Sequence, residues 1–210
     1  MKRAILVLNG SRLSQGELKE VFLAKEQGAF VVCADGGYAN LKGKLKPDLV
    51  IGDFDSFDLS LVEQNIAKRI FAVEKDYTDG HICIEHIVSE GYDYIEIYGA
   101  MGGDRCDHFV SNLSLPPLAF SMGATAIIRG EKFDIYYFEK DFSLPCEKGK
   151  TVSVVPFTDR VHIYNSRGLK YQVDDLMLNK LHIMGISNSA TDSEFSLGVS
   201  DGGVLVFVQK

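Results

Sequence analysis

Through the first 130 positions, short, mainly apolar runs alternate with stretches of helical spacing. The runs at 4–8, 29–34, 49–51, 70–73, 94–98 and 124–128 predict buried strands. Between them, 16–27, 59–67, 81–89 and 107–115 predict helices. In the third of these, Ile84, Ile87 and Val88 recur at the i, i+3, i+4 spacing of one buried helical stripe. Strands alternating with helices imply a mostly parallel sheet joined by right-handed crossovers.

The pattern changes near Gly130. The segments 135–138, 151–155, 161–164, 168–173, 182–186, 194–199 and 204–208 are short, β-rich and separated by Gly, Pro, Asp and Asn. That is the pattern of an antiparallel sandwich or barrel. The stretch 174–181 reads as a helical turn. The expected fold class is α/β plus all-β. A three-layer, Rossmann-like, mostly parallel domain spans 1–130, and an antiparallel β-sandwich or barrel spans 131–210. No internal repeat is visible.

Composition narrows the classes of function. With 210 residues, 46% of them hydrophobic, the chain can bury one large core or two modest ones. A net charge of -7 disfavours binding to nucleic-acid backbones, but it permits a nucleotide bridged by a cation. Met1-Lys2-Arg3 and the apolar run after it superficially suggest a signal peptide, yet Asn9-Gly10 ends the run too soon. No stretch is long and apolar enough to predict a membrane span. The four cysteines stand singly, without a C-x-x-C pair, so neither zinc nor a disulfide framework is indicated and a cytoplasmic location is expected. Gly149-Lys150-Thr151 imitates the tail of a Walker A loop, but Leu144 stands where the first glycine belongs.

Candidate chemistry follows the early strands. They end in Asn9-Gly10-Ser11, Asp35-Gly36-Gly37, Gly52-Asp53-Phe54-Asp55-Ser56, Lys75-Asp76-Tyr77-Thr78-Asp79 and the segment Gly99 to His108. In a parallel sheet these segments share the carboxyl edge, where ligands of open α/β sheets bind. Asp35, Asp53, Asp55, Asp76, Asp79 and Asp107 would crowd one crevice. A hard divalent cation offsets that repulsion, and magnesium completes its shell with water and substrate phosphates. Asp53 and Asp55, two apart in extended backbone, would face the same way, either as joint metal ligands or as ordinary turn formers. Thr78 or Asp79 caps the next helix, a role compatible with ligation. Gly102 and Gly103 offer backbone N–H groups to phosphate, and Arg105 adds a guanidinium fork. Asp107 either holds Arg105 or joins the metal shell; His108 has no assigned role.

These blocks resemble the thiamine pyrophosphokinase family. Gly52-Asp53-Phe54-Asp55-Ser56 after Pro47-Asp48-Leu49-Val50-Ile51 is similar to its hallmark. Ala34-Asp35-Gly36-Gly37, Lys75 to Asp79, and Gly102 to His108 with nearby Asn112 follow in the family's order. So do Gly168-Leu169-Lys170-Tyr171 and Gly185-Ile186-Ser187-Asn188. The resemblance implies a homodimer with thiamine bound at the subunit interface, where Ser187 and Asn188 match substrate-binding positions. It implies magnesium and catalytic roles for Asp53, Asp55 and Asp79. It also implies nucleotide-side roles for Asp76, Arg105 and Asp107. Pro116-Pro117 departs from the family by interrupting the helix after Asn112, which predicts a kink or stop. The chain has no tryptophan, so an aromatic contact to thiamine falls to Tyr, Phe or His, with Tyr171 a candidate.

The expected reaction is attack of the thiamine hydroxyl on the β-phosphorus of ATP, with AMP leaving. Asp79 or Asp76 would take the proton. The alternatives are a related pyrophosphokinase for another heterocyclic alcohol of pterin type, a metal-dependent phosphatase, and a non-catalytic thiamine or nucleotide sensor.

Overall fold

The computed structural model describes residues 1–54, 58–71, 76–182 and 184–210. The chain divides into two compact units, Met1–Glu131 and Lys132–Lys210. The first runs β1 (Arg3–Val7), α1 (Gln15–Glu26), β2 (Phe30–Ala34), α2 (Tyr38–Leu41), β3 (Leu49–Gly52), β4 (Ala67–Ile70), α3 (Asp79–Ser89), β5 (Tyr94–Tyr98), α4 (Cys106–Asn112), α5 (Leu115–Ser121) and β6 (Thr125–Ile128). Its strands lie in the order β6-β5-β1-β2-β3-β4, and every pairing is parallel. Alternate residues of the central strands bury opposite faces. Ile5, Val7, Val31, Cys33 and Val50 pack with Val21 and Ala24 of α1, whereas α3 lies against the same three strands β1, β2 and β3.

From β1 the chain steps outward through β2, β3 and β4, then crosses back to β5 on the other side of β1. The topological switch point therefore lies between β1 and β5. Backbone bonds carry that pairing past the strand ends: Leu8 N to Tyr98 O (2.8 Å), Gly10 N to Gly99 O (2.7 Å) and Ser11 N to Met101 O (2.9 Å). The loops after β1 and β5 thus run side by side.

Two expected elements differ here. The helix expected at 59–67 is a 3₁₀ turn, Leu59–Leu61, which Asp58 caps by accepting from Ser60 N at 2.9 Å. Val62 and Ile66 supplied the helical spacing, but they plug the core on the α1 face from irregular backbone. Of the strand expected at 70–73, Ala72 and Val73 lie outside the described residues, and the strand that is described, β4, ends at Ile70. An edge strand is covered on few sides, so Ala-Lys-Arg-Ile carries little apolar signal. After Asn112 the chain stops and restarts as α5, with Pro116 and Pro117 in its first turn, where no intrahelical N–H is needed.

The second unit continues β7 (Phe133–Phe138), β8 (Phe142–Pro145), β9 (Thr151–Pro156), β10 (Arg160–Arg167), β11 (Leu176–Asn179), β12 (Asn188–Ser189), β13 (Glu194–Asp201) and β14 (Val204–Gln209). Two antiparallel sets, β12-β9-β14-β7 and β11-β10-β13-β8, enclose one core. Val152, Val154, Val204 and Val206 face Val161, Ile163, Phe195 and Leu197 in a sandwich. The helical turn expected at 174–181 is β11, paired with β10. Of the strand expected at 168–173 a single bridge is described, Leu169 to Ala190; of that at 182–186, Ile183 lies outside the described residues and His182 bridges Asn179. Among the described residues no helix is long and apolar enough to cross a membrane.

Candidate active site

A cavity of about 500 Å³ opens at the carboxyl edge of the parallel sheet. Asp35, Asp53 and Asp79 line it, each delivered by a different device. Asp35 follows β2 in a left-handed conformation (φ 42°) and is only 8% exposed. Asp53 follows β3, and the next residue, Phe54, turns left-handed (φ 57°) and packs into the core. The extended geometry expected between Asp53 and Asp55 therefore fails at the residue that separates them. Asp55 itself lies outside the described residues. Asp79 is the first residue of α3, whose N-cap Thr78 accepts from His81 N at 3.3 Å. A carboxylate there also meets the positive end of the helix dipole.

The opposite wall is the loop from β5 to α4. Gly102, Gly103, Asp104 and Arg105 line the cavity, as does Asn112, which donates from Nδ2 to Ala100 O at 2.9 Å. Arg105 and Asp107 form a two-pronged pair, Nε to Oδ1 at 2.9 Å and Nη2 to Oδ2 at 2.7 Å. The hydrogen bond from Arg105 holds the Asp107 carboxyl well below the usual carboxylate range, helped by the His108 backbone N–H. Arg105 lines the cavity, and Asp107, exposed beside it, fixes the guanidinium. Of the two roles left open for Asp107, holding Arg105 is the one its contacts display.

Asp76 is exposed and is not among the cavity-lining residues. Gly36 and Gly37 serve the chain's own packing. A Cβ on Gly37 would come within 2.2 Å of the Val7 carbonyl oxygen, and one on Gly36 would strike the Asn9 amide. Gly103 combines φ +80° with a Cβ position 2.7 Å from Gly10 O, so it seats the β5 loop on the β1 loop while facing the cavity. Asn9, Asp104, Ser111 and Asn112 line the cavity although no role was read for them, and Thr78, read as a helix cap, lines it as well. The available signal was their position in the segments that follow the strands.

Among the described residues no three candidate ligands gather tightly enough to form a ready metal cluster. Magnesium needs only one or two protein carboxylates when substrate phosphates complete its shell. Asp53 and Asp79 on one cavity fit that requirement.

In the second unit, Ser187 is exposed with φ 61°, and its backbone N–H donates to Ser153 Oγ at 3.0 Å. Asn188 is 5% exposed. Its Oδ1 accepts from Tyr171 N (3.0 Å) and its Nδ2 donates to Tyr171 O (2.6 Å), so the amide clamps the main chain of Tyr171. The Tyr171 ring stands 60% exposed.

Comparisons with known proteins agree with this layout. A family model described as Thiamin pyrophosphokinase, catalytic domain, matches residues 23–121. A second, Thiamin pyrophosphokinase, vitamin B1 binding domain, matches residues 139–202. Thiamine pyrophosphokinase of Bacillus subtilis (strain 168) is 25% identical over 174 residues, covering 78% of each chain. Thiamin pyrophosphokinase 1 of Caenorhabditis elegans is 27% identical over 161 residues, covering 72% of this chain and 65% of that protein. The crystal structure of thiamine pyrophosphokinase from Bacillus subtilis superposes with a TM-score of 0.85 at 20% identity, covering 100% of this chain and 99% of that one, which establishes a shared fold.

Proposed function

The chain belongs to the thiamine pyrophosphokinase family, and from that premise we propose that it transfers the diphosphate group of ATP to the hydroxyl of thiamine, giving thiamine diphosphate and AMP. The observation that carries this reading is the succession of the family's catalytic and vitamin B1 binding domains in one chain. The pterin-type and sensor alternatives are not favoured.

The residues divide the work. Asp53 and Asp79, with Asp55, would hold magnesium. When bound, the ion neutralises charge on the transferred phosphates. Arg105, braced by Asp107, binds polyphosphate oxygens, and the backbone N–H groups of Gly102 and Gly103 face the same anion. Thiamine's hydroxyl oxygen forms a bond to the β-phosphorus as the bond from that phosphorus to the α,β-bridging oxygen breaks. AMP leaves with the bridging oxygen, and a carboxylate takes the hydroxyl proton. Asp79 is the better base of the two considered, because it lines the cavity and Asp76 does not. Asn188 acts on thiamine indirectly, through the position of Tyr171. Two copies of the chain assemble in this proposal, with exposed Leu181, Met184 and Ile186 as the supporting apolar surface. The proposed compartment is the cytoplasm.

The test is incubation with ATP, magnesium and thiamine, with products resolved by chromatography. Equal amounts of thiamine diphosphate and AMP, lost on adding EDTA, are expected. ADP with thiamine monophosphate, or no thiamine product at all, would overturn the reading.

A further inference from the structure

A second cavity, of about 450 Å³, lies in the first unit among the loop after β1, the start of α1 and the end of α2. Asn9 and Gly10 border both cavities, so the β1 loop is the wall between them. Their charges are opposite. The first cavity is lined by several aspartates and Arg105. The second is lined by Arg12 and Lys44 and, among the described residues, by no carboxylate. In a chain with 29 acidic and 22 basic residues, a cavity whose described charged side chains are both positive favours anions.

The walls are fixed before any ligand arrives. Asn40, 8% exposed, accepts at Oδ1 from Leu13 N (3.1 Å) and donates from Nδ2 to Leu8 O (3.3 Å). It thereby ties the β1 loop to α2. The Lys44 ammonium donates one hydrogen bond to Asn40 O (3.1 Å), which leaves two of its three donors for a ligand. Among the described residues neither Arg12 nor Lys44 has a carboxylate partner. Glu17, the acid in the first turn of α1, is occupied by Ser14 N at 2.8 Å. A planar guanidinium fork and a point-like ammonium, with the amides of Asn9 and Gln15 beside them, match the several oxygens of a phosphate group.

We infer that this second cavity binds a phosphate-bearing small molecule without a divalent metal. The acidic cavity takes phosphate only together with a cation; the basic one takes it without. The source of the phosphate is either a nucleoside monophosphate or free inorganic phosphate. AMP is chosen as a probe on the strength of the proposed function; the site itself is argued independently of it.

The experiment is titration calorimetry in EDTA, with inorganic phosphate and with AMP, on the full chain. The wild type, Arg12→Gln with Lys44→Gln, and Asp53→Asn are compared. The wild type binds at least one of the two probes. The double variant loses tenfold or more in affinity, Asp53→Asn stays within twofold, and the thermal midpoint of the double variant stays near wild type, because both side chains are exposed. AMP binding tighter than phosphate identifies a nucleotide ligand, and equal affinities identify free phosphate; either supports the site. No binding of either probe to the wild type, or unchanged binding in the folded double variant, would overturn it. The turnover assay is read separately: a protein that binds phosphate here but makes no thiamine diphosphate sinks the functional reading and leaves this site standing.

Discussion

Asp53 and Asp79 reach one cavity from positions 26 residues apart in sequence, one at a strand end and the other at a helix start. On the proposed reading, removing either carboxylate takes away a donor to magnesium without opening a cavity in a core. Asp53→Ala is therefore expected to lower turnover on the order of 10²-fold or more, with little change in the urea midpoint. A folded Asp53→Ala protein with near-wild-type turnover would exclude Asp53 from the chemistry. Asn188 presents the opposite case, a buried amide that satisfies two main-chain groups of Tyr171. Asn188→Ala leaves those groups unpartnered, at a cost of about 1–3 kcal/mol. The expected result is a lower urea midpoint together with a raised KM for thiamine and a smaller effect on kcat. Wild-type values of both would show that the clamp does not position Tyr171. Sequence placed the acids near the site because it marks which polar segments follow strands. It did not distinguish Asp79, which lines the cavity, from Asp76, which is exposed outside it.

At the level of elements, β4 and α3 are tied by Arg69 Nη1 and His86 Nδ1 at 2.7 Å. A guanidinium only donates, so Nδ1 accepts and the ring is neutral. Burial, then the Arg69 charge, pushes the His86 pKa below its ordinary value of 6.5. As pH falls below about 6.5 the unfolded chain takes up this proton more readily than the folded one. Stability is therefore lost as pH drops from that value through the folded pKa, and regained as pH rises. In urea unfolding at a series of pH values, His86→Gln should flatten the slope of stability between about pH 5 and 7. An unchanged slope would remove His86 as its source. The elements that were legible, β1, β2, β5 and α3, are those whose own residues carry an apolar run or stripe, interrupted in β5 by Glu96 alone. Edge strand β4 and the irregular segment holding Val62 and Ile66 were not, because their burial depends on neighbours distant in sequence.

For the whole molecule, Leu181 (89% exposed), Met184 (60%) and Ile186 (53%) put three apolar side chains in water within six residues of the second unit. Such surface is unfavourable in water unless it meets a partner. Sedimentation should give a species of two copies, and Leu181→Glu with Ile186→Glu should shift it to one. A dimer that survives both substitutions would place the interface elsewhere. The hydrophobic pattern alone determined the fold class, a parallel α/β half followed by an antiparallel β half, because the spacing of apolar residues repeats the period of each element. The order of polar blocks determined the family. Tertiary structure decided which polar groups meet. The seating of the β1 and β5 loops on each other, the Asn188 clamp and the second cavity with Arg12 and Lys44 each join residues from separate segments. Local sequence is read over a few residues, whereas these arrangements arise only when the sheet brings distant strand ends together.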